Sequence, residues 1–149
     1  MLILILGSLW VGCNAPFAEV DYAPTTKQWN LQDTIALEFE NADTSSVYRL
    51  SFPFRFTNAF EYNNLYLRAR ITAAKGEQNM IPTRFQLIDP IGNWFTEPDG
   101  EVFPFQLRIR DGLRFNQMGY YKIELYHYMQ DSTLSGVASV GIQLYKVEQ

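Results

Sequence analysis

The chain has 149 residues, 47% of them hydrophobic and 19% charged, which is enough for one buried core and too short for two ordinary domains. Its aromatic content of 15% is rich in Phe and Tyr, residue types that favour strands. A net charge of -4, with no cluster of Lys and Arg, excludes a protein that binds nucleic acid by neutralising phosphates.

The first thirteen residues predict an export signal. An apolar run without any charged residue extends to Gly12 and is followed by Cys13, the only cysteine of the chain. Twelve helical residues reach about 18 Å, which is too little to cross a hydrocarbon core of roughly 30 Å. We therefore interpret residues 1–12 as a cleaved leader. One cysteine forms no internal disulfide, and the sequence offers no Cys/His set for a metal and no cofactor motif.

The end of this leader resembles the lipobox of bacterial lipoproteins, in which the cysteine thiol receives a lipid. The match is Val11-Gly12-Cys13, although Trp10 stands where Leu is usual and no basic residue precedes the apolar run. The resemblance implies lipidation of Cys13 and attachment to a membrane. A buried first strand with an incidental cysteine is the alternative. Residues 13–30 lack a sustained period and are predicted as the lipidated cysteine and its tether, followed by a single all-β domain, residues 31–149.

Alternation of apolar and polar residues predicts seven strands beyond the tether and no helix. Short strands separated by turns indicate an antiparallel β-sandwich, Ig-like or jelly-roll-like, with a closed barrel as the alternative. Pro53 cannot donate a ladder hydrogen bond, which predicts an edge strand or a bulge at that point. The seven segments lie near residues 35–40, 48–57, 65–72, 84–88, 105–110, 121–129 and 140–144.

The sequence contains no recognisable catalytic apparatus. His127, the only histidine, is in register with Ile123 and Leu125, which predicts a packed core or rim residue. Neither a nucleophile elbow nor a phosphate-binding glycine loop occurs. We therefore predict that the protein is not an enzyme. A hydrolase with two carboxylates facing a cleft is the least favoured alternative.

Surplus aromatic residues are the candidates for contact with a partner or ligand. Tyr66, Tyr126 and Tyr128 fall on strand faces opposite the apolar ones, where they form a second packed layer, a partner surface or a sugar-stacking platform. Trp94 and Phe95 follow a turn and are predicted as an exposed aromatic pair in a loop.

Three segments of the chain stand out by their order and spacing. They are Tyr62-x-Asn64-Leu65-Tyr66-Leu67, Leu87-x-Asp89-x-x-Gly92-x-Trp94, and a tail with Met129, Leu134, Gly136-Val137, Val140-Gly141 and Ile142. Taken together, these segments resemble the GldH family of lipoproteins from gliding Bacteroidetes. Trp29 and Asp33 also suit the family, whereas residues 95–100 replace its glycine-rich run.

The resemblance implies a non-enzymatic, membrane-anchored lipoprotein that supports gliding motility and the linked type IX secretion machinery. Its expected partners are other envelope proteins of that machinery, with no nucleic acid and no metal. The five residues after Cys13, 14–18, carry no acidic side chain, whereas surface-exported lipoproteins of Bacteroidetes often carry acidic residues there. We therefore expect a periplasm-facing domain in the cell envelope. A glycan-binding β-sandwich is the alternative function.

Overall fold

The computed structural model describes residues 15–147, so that the predicted leader and Cys13 lie outside the described part. Within that part the chain forms ten strands, three more than predicted, and no helix, as the sequence pattern predicts. Residues 15–147 thus hold no helix that could span a bilayer. The strands are β1 Ala18–Tyr22, β2 Gln28–Asn30, β3 Ile35–Asn41, β4 Val47–Phe56, β5 Asn64–Thr72, β6 Gln78–Gln86, β7 Phe103–Leu113, β8 Gly119–His127, β9 Thr133–Ser135 and β10 Val137–Val147.

The strands form two four-stranded antiparallel sheets and one two-stranded pair. Sheet 1 has the order β1-β10-β4-β7, sheet 2 has the order β3-β8-β5-β6, and β2 pairs with β9. Each large sheet ends in two edge strands, so the fold is a sandwich and not a closed barrel. Most connections between the eight strands of the two large sheets cross from one sheet to the other, and their order is that of a jelly roll. The predicted β-sandwich is confirmed.

The core lies between the two sheets and follows directly from the alternation of side chains. On β4, Leu50, Phe52, Phe54 and Phe56 are fully buried, and the inward leucines and isoleucines of β5 and β8 meet them from sheet 2. A continuous apolar face on each sheet therefore stabilises the fold through burial.

The predicted tether up to residue 30 is wrong from Ala18 onward. β1 pairs with β10 from Ala18↔Leu144 to Tyr22↔Val140, and β2 adds Trp29, whose side chain is fully buried. Both strands have five residues or fewer, too short to show a period, and the prolines at positions 16 and 24 flank β1 without interrupting it. The folded domain therefore begins close to Phe17, whose N–H donates to the Leu144 carbonyl at 2.7 Å.

The prediction of an edge strand or a bulge at Pro53 is also wrong, because β4 lies between β10 and β7. Its irregular pairing with β7 falls near Leu50 and Ser51 instead. The register of β4 and β10 brings Pro53 opposite Gly141. A Cβ at position 141 would lie 2.5 Å from the Val20 carbonyl oxygen of β1 and 3.2 Å from the proline ring, so that glycine is the residue that fits between these neighbours.

The connections divide the sandwich into two unlike ends. The short-loop end comprises residues 42–46, 73–77 and 114–118, together with Phe17 and Val147. The long-loop end comprises residues 23–34, 57–63, 87–102 and 128–136, including the small β2-β9 pair. The longer loops thus cluster at the end opposite to the one where the chain enters the fold.

Candidate functional site

Tyrosines and arginines cluster on the outer face of sheet 2, on three neighbouring strands. Since side chains alternate along a strand, the residues that flank buried leucines in β5 and β8 point outward. The register brings these residues together, because Arg68 lies opposite Tyr126 and Tyr66 lies opposite Arg84. We call this cluster the Tyr/Arg surface, formed by Tyr66, Arg68, Arg70, Arg84, Tyr126 and Tyr128.

Every arginine of the Tyr/Arg surface lies over a tyrosine ring. The rings of Tyr66 and Tyr128 also pack edge to face, with centroids 5.8 Å apart. Cation–π contacts of this kind contribute about 0.5–1 kcal/mol each at exposed sites and hold the long arginine side chains in place. The distances from guanidinium Cζ to ring centroid are 4.1 Å for Arg68–Tyr128, 5.6 Å for Arg84–Tyr66 and 5.9 Å for Arg70–Tyr126.

The charge of this surface is largely uncompensated. The Glu124 carboxylate lies 3.6 Å from the Arg70 guanidinium nitrogen and 3.4 Å from Lys122 Nζ, so that a single carboxylate forms ion pairs with two cations. Arg68 and Arg84 form no ion pair with any residue between positions 15 and 147. The outward glutamates of β3 lie across β8, towards the short-loop end. A cationic patch therefore stands out on a chain whose net charge is -4.

A groove of about 350 Å³ borders the Tyr/Arg surface. Its walls are Leu31, Thr34, Arg70, Glu124 and Tyr126, and the Leu31 side chain is 40% exposed. The groove thus offers an apolar side chain, a phenol and both signs of charge next to the cluster. Such a mixture suits a polypeptide better than a small apolar ligand.

Trp94 and Phe95 do not form the predicted exposed pair. The Trp94 ring is partly buried, with its centroid 4.8 Å from that of Phe56 and 5.6 Å from that of Phe103. Phe95 is 56% exposed, and its N–H donates to the carbonyl of Leu87 at 3.0 Å. Phe95 is therefore the more accessible of the two rings, whereas Trp94 packs at the edge of the core.

The turn before Trp94 explains this inward position. The carboxylate of Asp89 accepts hydrogen bonds from the N–H groups of Ile91 and Asn93, both at 2.9 Å. The bond from the Asn93 backbone contributes most to lowering the pKa of Asp89. Gly92 has a φ of +93°, which favours glycine. The Asp89-to-Trp94 segment is thus a structural device that folds the tryptophan back onto the core.

His127 is buried and packed, as its register with Ile123 and Leu125 predicts. Its Nε2 lies 3.2 Å from the carbonyl of Trp29, and its Nδ1 accepts from the N–H of Met129 at 3.4 Å. Burial lowers the pKa of His127, although the Trp29 carbonyl opposes the shift. The imidazole therefore stays neutral with its proton on Nε2. Among residues 15–147 no group of three His, Cys, Asp or Glu side chains could hold a metal ion.

Sequence reasoning found the tyrosines of the surface but missed the three arginines as part of it. Alternation alone places Arg68 and Arg70 on the outer face, so that signal was present in the sequence. The position of each arginine over a particular ring depends on the register of three strands, and that register cannot be read from the sequence. Cys13, the predicted lipidation site, lies outside the described residues.

These features define an all-β jelly-roll domain that presents a cationic aromatic surface. The model of the GldH lipoprotein family matches residues 19–144 of this chain, nearly the whole described domain. The chain therefore belongs to the GldH lipoprotein family. This finding confirms the resemblance seen in the sequence segments.

Two named relatives agree with the family assignment. The gliding motility lipoprotein GldH homolog of Christiangramia forsetii is 25% identical over 126 residues, which cover 80% of this chain and 78% of that protein. The gliding motility lipoprotein GldH of Flavobacterium johnsoniae is 21% identical over 159 aligned positions, covering 99% of this chain and 94% of that protein. A solved structure of the VP2 subviral particle of infectious bursal disease virus covers 97% of this chain and 37% of that one, with 14% identity and a TM-score of 0.37, which is too low to support an inference.

Proposed function

We propose that this protein is a lipid-anchored, non-enzymatic component that supports gliding motility and the type IX secretion machinery linked to it. The observation that carries the proposal is the family match over residues 19–144, together with two relatives named gliding motility lipoproteins. A component without a catalytic centre contributes by holding other proteins in place. Its working parts are then an anchor and a binding surface.

The anchor in this proposal is an acylated Cys13 in the cell envelope. Each buried methylene of an acyl chain contributes about 0.8 kcal/mol, so that several chains hold the domain on a membrane without a transmembrane helix. The five residues after the cysteine, 14–18, include no acidic side chain, which favours a domain that faces the periplasm.

The binding surface in this proposal is the Tyr/Arg surface, and its occupant is an acidic segment of another envelope protein. Tyr and Arg are the residue types in which binding energy concentrates at interfaces, alongside Trp. Arg68 and Arg84 have no carboxylate partner among residues 15–147, so an acidic partner would supply one. Phe95, exposed on the long-loop end, is proposed as an additional contact.

The anchor and the motility role are tested together in living cells. Deletion of the gene should abolish or strongly reduce the movement of single cells on glass, and the wild-type gene should restore it. Labelled palmitate should enter the wild-type protein and not Cys13→Ser. Unchanged gliding and secretion after deletion would overturn the motility role, whereas equal labelling of both proteins would overturn the anchor at Cys13.

A glycan-binding sandwich is the second candidate, favoured by the exposed ring of Phe95 and by the outward tyrosines. Stacking on a sugar needs a free aromatic face, and the Trp94 ring is partly covered by its contacts with Phe56 and Phe103. Glycan-array binding that is lost in Phe95→Ala or Tyr128→Ala would favour this function. Arrays without any signal would remove it.

A further inference from the structure

The folded domain begins very close to the proposed lipid anchor. Three residues lie between Cys13 and Phe17, and the four Cα-to-Cα steps of a fully extended chain span at most about 14 Å. The Phe17 ring already packs on the domain, with its centroid 5.4 Å from that of Tyr48 and 6.1 Å from that of Phe39. An acylated Cys13 would therefore hold this part of the domain next to the bilayer.

The strand directions identify which part of the sandwich this is. Phe17 precedes β1 and lies beside Leu144, close to the C-terminal end of β10. Val147 of β10 lies opposite Val47, where β4 starts, and β4 then runs away from this end. The chain thus enters the fold at the short-loop end. The length of β4, Val47–Phe56, carries the long-loop end about 30 Å away from it.

Apolar side chains are exposed at this same end. Met118 is 68% exposed and Tyr120 is 69% exposed, at the connection from β7 to β8, and Phe17 is itself 44% exposed. Met118 lies three residues after Phe115 in the chain. The Phe115 ring packs on Phe39, which in turn contacts Phe17. Tyrosine, with an apolar body and a polar tip, suits the boundary between headgroups and acyl chains, and methionine fits irregular apolar surfaces.

We propose that the short-loop end lies against the lipid bilayer, with Met118 and Tyr120 in its interfacial region. The long-loop end, with Phe95 and Ile91, then faces away from the membrane. The Tyr/Arg surface lies on the side of the sandwich, nearer the long-loop end than the anchor. This inference rests on the lipidation of Cys13 in the proposed function, and it adds an orientation that lipidation alone does not impose.

Position-specific quenching tests the orientation on the full, acylated protein. Met118→Cys and Ile91→Cys are labelled with the same fluorophore, because both native side chains are exposed, at 68% and 83%, and an acylated Cys13 has no free thiol. The proteins are reconstituted into phosphatidylcholine and phosphatidylethanolamine vesicles that contain a nitroxide-labelled lipid. Ile91 serves as the matched control at the far end of the sandwich.

The expected result is stronger quenching at position 118 than at position 91, by about twofold or more, in protein that floats with the vesicles. Equal quenching at both positions, or stronger quenching at 91, would overturn the orientation while leaving the anchor intact. Protein that does not float with the vesicles would overturn the anchor and, with it, the orientation. Cys13→Ser should neither float nor be quenched at 118.

Discussion

The two faces of sheet 2 are built from the same strands, yet their side chains differ in burial and in what they contact. On β5, Leu65 and Leu67 are fully buried, whereas Tyr66 between them is only partly buried and contacts an arginine on the next strand. The inner face gains stability by removing apolar area from water, at roughly 25 cal/mol per Å². The outer face gains little from burial.

The aromatic residues of the core and those of the outer face also differ in what they pack against. Inner rings pack on each other, as Phe39 stacks on Tyr121 at 5.7 Å and Phe56 stacks on Phe103 at 5.4 Å. Outer tyrosines pack mainly on guanidinium groups. Substitutions on the inner face should therefore change stability, and those on the outer face should change binding.

The largest effect on stability is expected from Phe56→Ala. This fully buried ring contacts Trp94 and Phe103, and its removal leaves a cavity at the edge of the core. The free energy of unfolding, measured with urea, should fall by about 3–5 kcal/mol. Tyr66→Ala on the outer face of sheet 2 is the control and should cost about 1 kcal/mol or less. Similar losses in the two variants would contradict the division between the faces.

Adjacent loop aromatics give a sharper test of which rings belong to the core. Trp94→Ala should lower the free energy of unfolding by about 2 kcal/mol, because the ring packs on Phe56 but is only partly buried. Phe95→Ala should change it by no more than about 0.5 kcal/mol. Urea unfolding of both variants provides the measurement. Equally small losses in the two variants would show that both rings are exposed, as the sequence predicted.

Alternation along long strands made most of the fold predictable. All seven predicted strands correspond to long strands of the sandwich, and the inward position of His127 followed from its register with Ile123 and Leu125. Strands β1, β2 and β9 escaped prediction because three to five residues show no period and pair only with distant parts of the chain. Pro53 was misjudged because the position of β4 in the sheet is set by its pairing with β7 and β10, which are remote in sequence.

Only part of the candidate surface was predictable from the sequence. Period-two reasoning places Tyr66, Tyr126 and Tyr128 outward, but the register between β5, β6 and β8 decides which cation meets which ring. Trp94 was assigned to an exposed loop because turn residues precede it. The hydrogen bonds of Asp89 reverse that assignment, since they fold the loop back onto Phe56.

A smaller effect is expected from acidification, through His127 on the inner face. Burial lowers the pKa of His127 in the folded protein, so the unfolded chain, with a pKa near 6.5, binds the proton more readily. The contribution of His127 to the free energy of unfolding is therefore complete above about pH 6.5. It is lost as the pH falls towards the lowered pKa of His127 in the folded state. The slope for one proton is at most about 1.4 kcal/mol per pH unit.

Urea unfolding at several values between pH 7.5 and 5.0 measures this slope. His127→Gln removes the titrating group and should flatten the profile, even where the loss of packing lowers stability at every pH. Exposed carboxylates contribute mainly below this range, since their ordinary pKa values are near 4. A profile of the same slope in His127→Gln would show that another group is responsible.

A small effect on stability, and the largest on function, is expected on the outer face of sheet 2. Arg68→Glu with Arg84→Glu should change the free energy of unfolding by about 1 kcal/mol or less per substitution, because each loses one exposed cation–π contact and neither side chain forms an ion pair among residues 15–147. The same double variant should fail to restore gliding in a deletion strain, since two acidic side chains would repel an acidic partner. Gliding speed of single cells and protein abundance are measured together.

Matched variants separate the charge of the surface from its shape. Arg55→Glu, an exposed position on β4 in sheet 1, changes the net charge in the same direction and should still restore gliding. Arg68→Lys with Arg84→Lys keeps the charge but loses the planar group that lies over the tyrosine rings. Partial gliding in the lysine variant would assign part of the recognition to the guanidinium plane. Full gliding in the glutamate variant, at normal abundance, would place the partner surface elsewhere on the domain.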